Sequence, residues 1–180
     1  MRSVIVCTAL ALAVSGQPLL AQARGTSVPS SWLQGRTLIV RHLGFSIDAP
    51  NAKWTWTQTS SPDQFHATSP DGSKRFSVVV VIPDKPRPLD QAEADGYIEG
   101  FAESQQKRGY KVENKRCTPW PGVAAGFRCS VSVKTTDQRT AQYVAYITST
   151  TRFYSISYLG QGTAEPAEFT AFAASFRLVK

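Results

Sequence analysis

The chain is poor in the residues that carry most metal and nucleophilic chemistry. It has 3 cysteines, 2 histidines and 1 methionine among 180 residues. His42 and His66 stand far apart, with no H-x-x-x-H or carboxylate spacing around them, so no metal centre is expected. No G-x-S-x-G elbow is present to hold a nucleophile. Ser61, Asp63 and His66 lie too close in sequence for a catalytic triad and are expected in a polar loop. There is no C-x-x-C redox motif. The glycines of "LGQGTAE" (159–165) follow a strand-like run, but Glu165 stands where a dinucleotide fingerprint has its third glycine. A tight strand-to-helix turn is expected there instead. No cofactor is expected, and the chain is read as no enzyme; a hydrolase remains only a distant alternative.

Acids are also scarce, 13 against 20 Lys+Arg. The basic residues are spread along the chain without a cluster, which argues against a nucleic-acid partner and leaves acidic partners or anionic envelope surfaces. No apolar run reaches the roughly 20 residues that span a bilayer. The one apolar run of note, Val4–Val14, follows Arg2 and precedes Ala21-Gln22-Ala23, the layout of a secretory leader. Residues 1–23 are therefore expected to be a signal peptide, 24–36 a small, polar, loose linker, and 37–180 a single domain. Removing the leader lowers the net charge of +7 by one. The mature protein is expected to be periplasmic or secreted, with no integral membrane segment.

Loss of the leader removes Cys7 and leaves Cys117 and Cys129 in "CTPWPGVAAGFRC". An even pair in an oxidising compartment reads as a disulfide. A hairpin turning about Val123 places the two cysteines directly opposite, within bridging distance. Trp120 lies between Pro119 and Pro121 near the tip, with Arg116 and Arg128 at its flanks. Either the braced tip presents an exposed indole as a partner-binding anchor, or Trp120 folds back as a lid on the sheet. The alternating Arg128, Ser130, Ser132 and Lys134 read as a solvated strand face.

Elsewhere the pattern supplies an α+β outline. "TLIVRHLGFSIDAP" gives two short strands stopped by Pro50, and "WTWTQ" puts Trp54 and Trp56 on one face. "SPDG" marks a turn before "RFSVVVVIP", whose β-branched run predicts a central strand covered on both faces. Residues 90–108 are predicted helical. Asp90 and Glu93 have capping-box spacing, Ala94, Tyr97, Ile98 and Phe101 form one stripe, and Gly109 supplies the stop. An antiparallel meander follows. A two-residue turn at 150–151 would oppose Tyr143 to Tyr158 and Ile147 to Tyr154, giving a Tyr143/Tyr154/Tyr158 face that is either core or a ligand platform. Phe169, Phe172, Ala173 and Phe176 then repeat at helical spacing. The sum is an antiparallel-rich sheet packed by a long central helix and a C-terminal helix.

"GFSIDAPNAKW" (44–54), "RFSVVVVI" ahead of a long helix, and "FTAFAASF" (169–176) give residues 37–178 a layout that resembles the PsbP/Mog/DcrB-like family. That resemblance implies an α/β/α sandwich and an accessory role. Known members include an extrinsic photosystem subunit, a Ran-binding protein, envelope lipoproteins and secretion-effector chaperones. The chain lacks a lipobox and adds a cysteine pair. The expected function is thus an exported, non-enzymatic accessory protein that binds an envelope protein by its sheet edge and hairpin tip. The alternative is a periplasmic small-molecule or lipid carrier with a pocket between sheet and helix.

Overall fold

The computed structural model describes residues 25–82, 90–121, 126–136, 140–148, 152–160 and 167–179. The expected leader, the turns expected at 122–125, 136–139 and 150–151, and the strand-to-helix turn expected in 159–165 lie wholly or mostly outside the described residues. Among the described residues, twelve strands run in chain order: β1 Thr26–Ser27, β2 Leu33–Gln34, β3 Thr37–Val40, β4 Phe45–Asp48, β5 Thr55–Gln58, β6 Gln64–Thr68, β7 Arg75–Val81, β8 Lys111–Pro119, β9 Gly126–Lys134, β10 Thr140–Thr148, β11 Phe153–Gly160 and β12 Arg177–Leu178. Two α-helices among the described residues, α1 Gln91–Lys107 and α2 Ala167–Ala174, complete the α+β fold. An eight-stranded sheet has the order β1-β5-β6-β7-β11-β10-β9-β8, and a four-stranded sheet the order β12-β4-β3-β2. Every strand pair is antiparallel.

The large sheet carries a separate core on each face. Because side chains alternate along a strand, Phe76, Val78, Val80, Val144, Tyr146, Tyr154 and Ile156 turn one way and meet the small sheet and α2. Phe127, Cys129, Val131, Val133, Tyr143 and Ala145 turn the other way and meet Ala94, Ile98 and Phe101 of α1. The first core is rich in aromatic rings. Phe176 stacks on Tyr146 at 4.7 Å and on Phe45 at 5.9 Å, and Phe76 meets Phe172 at 5.0 Å.

Helix α1 forms where its caps and stripe require. The Asp90 carboxylate accepts the Glu93 N–H at 2.9 Å, satisfying one of the donors a helix start leaves open. Gly109 takes a φ of 79° just past the end, a left-handed conformation that other residues enter at a cost. In α2, Phe169, Phe172 and Ala173 are buried as the spacing predicts. Phe176 is buried too, but lies beyond the helix, whose last turn closes when Ser175 N–H donates to Ala171 O.

Two expectations are corrected. Residues 24–36 are not a loose linker from Gly25 onward. β1 pairs with β5, β2 pairs with β3, and Val28 is buried in the first core. Trp32 packs against His42 and Phe65. The apolar Val28, Trp32 and Leu33 gain enough burial to order a segment that is otherwise small and polar. The second correction is a register. Tyr143 pairs with Ser157 and Tyr146 with Tyr154, one residue away from the pairing expected for a two-residue turn. A slip of one residue reverses the faces, so Tyr143 lies under α1 while Tyr154 and Tyr158 join the opposite core.

The hairpin register is as the sequence predicts: Cys117 opposes Cys129, with Cα atoms 4.0 Å apart and the disulfide formed. The chain-entropy model assigns a bridge of this separation roughly 3 kcal/mol. Cys117→Ser/Cys129→Ser is expected to lower the melting temperature by about 6–12 °C. Unchanged melting would mean that α1 alone braces the hairpin.

Candidate functional site

The long β8–β9 hairpin forms one margin of the large sheet and is supported from one side. Cys117 Sγ lies 3.3 Å from the Ala94 carbonyl of α1, so the disulfide lies beneath the helix. Val131, Val133 and Phe127 fill the same side. The opposite side of the hairpin carries Lys111, Asn114, Arg116 and Thr118 from β8, facing Lys134, Ser132, Ser130 and Arg128 from β9. None of these residues belongs to either core. Lys111 and Arg116 are exposed, and Arg128 and Lys134 are half-buried.

The outer edge of β8 is guarded. Trp120 N–H donates to Gly126 O at 2.7 Å. Antiparallel alternation then turns the backbone groups of Asn114, Arg116 and Thr118 toward β9, and those of Lys115, Cys117 and Pro119 outward. Pro119 has no N–H to offer. Gln91 Nε2 donates to Cys117 O at 3.5 Å, and Lys115 pairs with Glu99. A β-bulge interrupts the strand between Val112 and Asn114. These devices discourage addition of a further strand, so the hairpin offers a face rather than an edge.

Trp120 folds back as the lid. Its ring lies 4.6 Å from Tyr146 and 5.8 Å from Phe176, and the residue is half-buried against the first core. Truncating it would remove packing as well as any contact surface, so Trp120→Ala cannot isolate binding from stability. Arg116 and Arg128 project from the face away from α1, whereas both disulfide sulfurs approach the Ala94 carbonyl on the helix side.

Of the two alternatives for Tyr143, Tyr154 and Tyr158, the structure takes core over ligand platform, and the register divides the three between opposite faces. Tyr143 meets Phe101 edge-on at 4.9 Å, and burial pushes its phenol up. Tyr154 donates its hydroxyl to Leu43 O at 2.9 Å. Tyr158 packs on Phe76 and Phe169. All three serve packing.

His66 is the one buried histidine, and its partner is not in the Ser61/Asp63 loop. Its Nδ1 lies 2.9 Å from Ser77 Oγ, directly across the β6–β7 pair. Burial, aided by the Arg75 cation, lowers its pKa to about 4. A histidine neutral down to that pH is a weak proton acceptor at pH 7, and no carboxylate orients it. His42 packs on Trp32 on the side of the sheet that Phe65 occupies, whereas His66 turns to the other side. The two cannot share an ion across the sheet. Among the described residues, no group of three or more His, Cys, Asp and Glu could hold a metal.

Gln105 was not singled out from sequence. It is 1% exposed in the stripe of α1, and neither Oε1 nor Nε2 has a hydrogen-bond partner. The signal was its spacing, four residues after Phe101 and seven after Ile98, which puts a polar group on the buried face.

No protein-family model matches this chain, and no curated protein matches it significantly. A crystal structure of a protein from Bacteroides thetaiotaomicron VPI-5482 is similar at 14% identity, with a TM-score of 0.45 over 82% of this chain. The match covers 50% of that protein, so this chain spans about half its length. No helix among the described residues is long and apolar enough to cross a membrane.

The His66 environment sets a pH dependence. Its pKa falls from 6.5 to about 4 on folding, so between these values the unfolded chain binds the extra proton. Stability from this group is full above pH 6.5 and is lost as pH falls toward 4, by on the order of 3 kcal/mol. Melting curves for wild type should fall through this window, and those of His66→Asn should fall less steeply. Parallel curves would mean that His66 is not held neutral by burial.

Proposed function

We propose that this chain is an exported, non-enzymatic accessory protein of the cell envelope, which binds a protein partner through the β8–β9 hairpin. The observation that carries the reading is the one-sided bracing of that hairpin. Helix α1 and the Cys117–Cys129 bridge hold one face, while the other presents polar side chains that take no part in either core. A preformed surface loses little conformational entropy when a partner docks. The bridge also supports export, since such bonds persist in oxidising compartments. The His66–Ser77 pair, with its depressed basicity, gives no comparable support to a hydrolase.

The proposal extends to the fold family. The α1 and α2 helices lie on opposite faces of the large sheet, which supports the PsbP/Mog/DcrB-like α/β/α sandwich. The second reading, a carrier with a ligand between sheet and helix, draws on one observation: the unpartnered amide of Gln105 beneath α1. A ligand bonded there would be polar at that end.

A photo-crosslinking residue at Pro121, beside the tip, tests the main reading in the full chain expressed in its native envelope. Pro121 is exposed, so the replacement leaves the core intact. A discrete polypeptide adduct is expected there and none from Lys53, an exposed position in the loop before β5. No polypeptide adduct at Pro121, with a small molecule seen by native mass spectrometry, would replace the accessory role by the carrier.

A further inference from the structure

We infer that the hairpin face turned away from α1 docks a carboxylate-rich surface of a polypeptide, an inference that rests on the accessory role proposed above. Four cations, Lys111, Arg116, Arg128 and Lys134, share this face. Lys111 and Lys134 are cross-strand partners, and like charges placed directly opposite destabilise a sheet. Glu113 answers only one of them, 3.7 Å from Lys111 Nζ. Among the described residues, the acids Asp95 and Glu99 belong to α1 on the far side, where they meet Gln91 and Lys115. Among the described residues no ion pair answers Arg116, Arg128 or Lys134, so these groups direct positive charge outward from one face.

The layout fits an extended acidic contact. Arg128 and Lys134 lie six positions apart along β9, a span of roughly 20 Å at strand spacing. Ser130 and Asn114 lie between the cations and can bond to the same partner. Arginine guanidinium groups match carboxylates with two parallel bonds, which gives Arg116 and Arg128 orientation as well as charge. A lipid surface fits less well. Stable attachment to a membrane takes an apolar insertion beside a basic patch. Ile82 and Leu178, the exposed large apolar residues among those described, follow β7 and end β12, and neither belongs to the hairpin strands. The guarded edge of β8 adds a further constraint: the partner is held by side chains, so binding must weaken with salt.

Fluorescein-labelled poly-L-glutamate is the probe, titrated against the full chain at low ionic strength and again at about 0.2 M NaCl. Arg116→Glu/Arg128→Glu is expected to weaken binding by about tenfold or more. The control Lys53→Glu/Lys107→Glu changes the net charge equally at exposed positions off this face, and should stay within about twofold. Lys134→Glu alone should move binding in the same direction, so the outcome does not hang on one variant's folding. Equal losses in both double variants, or no binding by wild type, would overturn the inference. So would binding to vesicles of about three parts phosphatidylglycerol to seven phosphatidylcholine that Arg116→Glu/Arg128→Glu abolishes, which would assign the face to lipid. A Pro121 polypeptide adduct that persists in Arg116→Glu/Arg128→Glu would remove the acidic contact and leave the accessory role standing.

Discussion

The structure depends on one constraint: both faces of the large sheet must be buried, but in different halves. A strand offers its faces alternately, so β10 can feed α1 with one set of side chains and the aromatic core with the other, while β9 feeds the α1 side alone. The β10–β11 register decides this division. Pairing Tyr146 with Tyr154 gathers both rings beneath Phe176 and leaves Tyr143 for Phe101. A shift by one residue would send a ring to the wrong core at every step.

The same division leaves the β8–β9 hairpin half-covered. The small sheet and α2 extend over the strands from β5 to β10, and α1 lies over the other face of β8 and β9. Apart from Trp120 at its tip, the described residues of the hairpin face opposite α1 join neither core. Such a strand pair would ordinarily be the weakest part of a sheet. Here the disulfide and the contacts from Gln91 and Glu99 hold it in place. The arrangement spends stabilising contacts on a margin whose outer face contributes nothing to either core, which is the physical basis for assigning that face a role in recognition.

Much of this was legible in the sequence where the governing interactions are local. Asp90, Glu93 and Gly109 announce α1 because caps act within a turn of the residues they satisfy. The cysteine pair was legible because the position of the Pro-Gly bend fixes which residues oppose. The β10–β11 register was not, since two- and three-residue bends look alike in sequence yet reverse every face. The order in residues 25–34 was hidden by composition: β1 and β2 are two-residue pairings held by backbone bonds and three apolar anchors. The fate of Trp120 depended on Tyr146 and Phe176, distant in sequence, and no local pattern could report them. His66 had a visible residue type but an invisible partner, because Ser77 reaches it only through the β6–β7 register.

Lysine labelling inside the native envelope tests the central claim, that the bare hairpin face is occupied by a partner, most directly. Comparison with purified protein should show Lys111 and Lys134 shielded in the envelope while Lys53 and Lys107 label equally in both. Equal labelling of Lys111 and Lys134 in the two settings, or shielding confined to Lys53 and Lys107, would contradict the account.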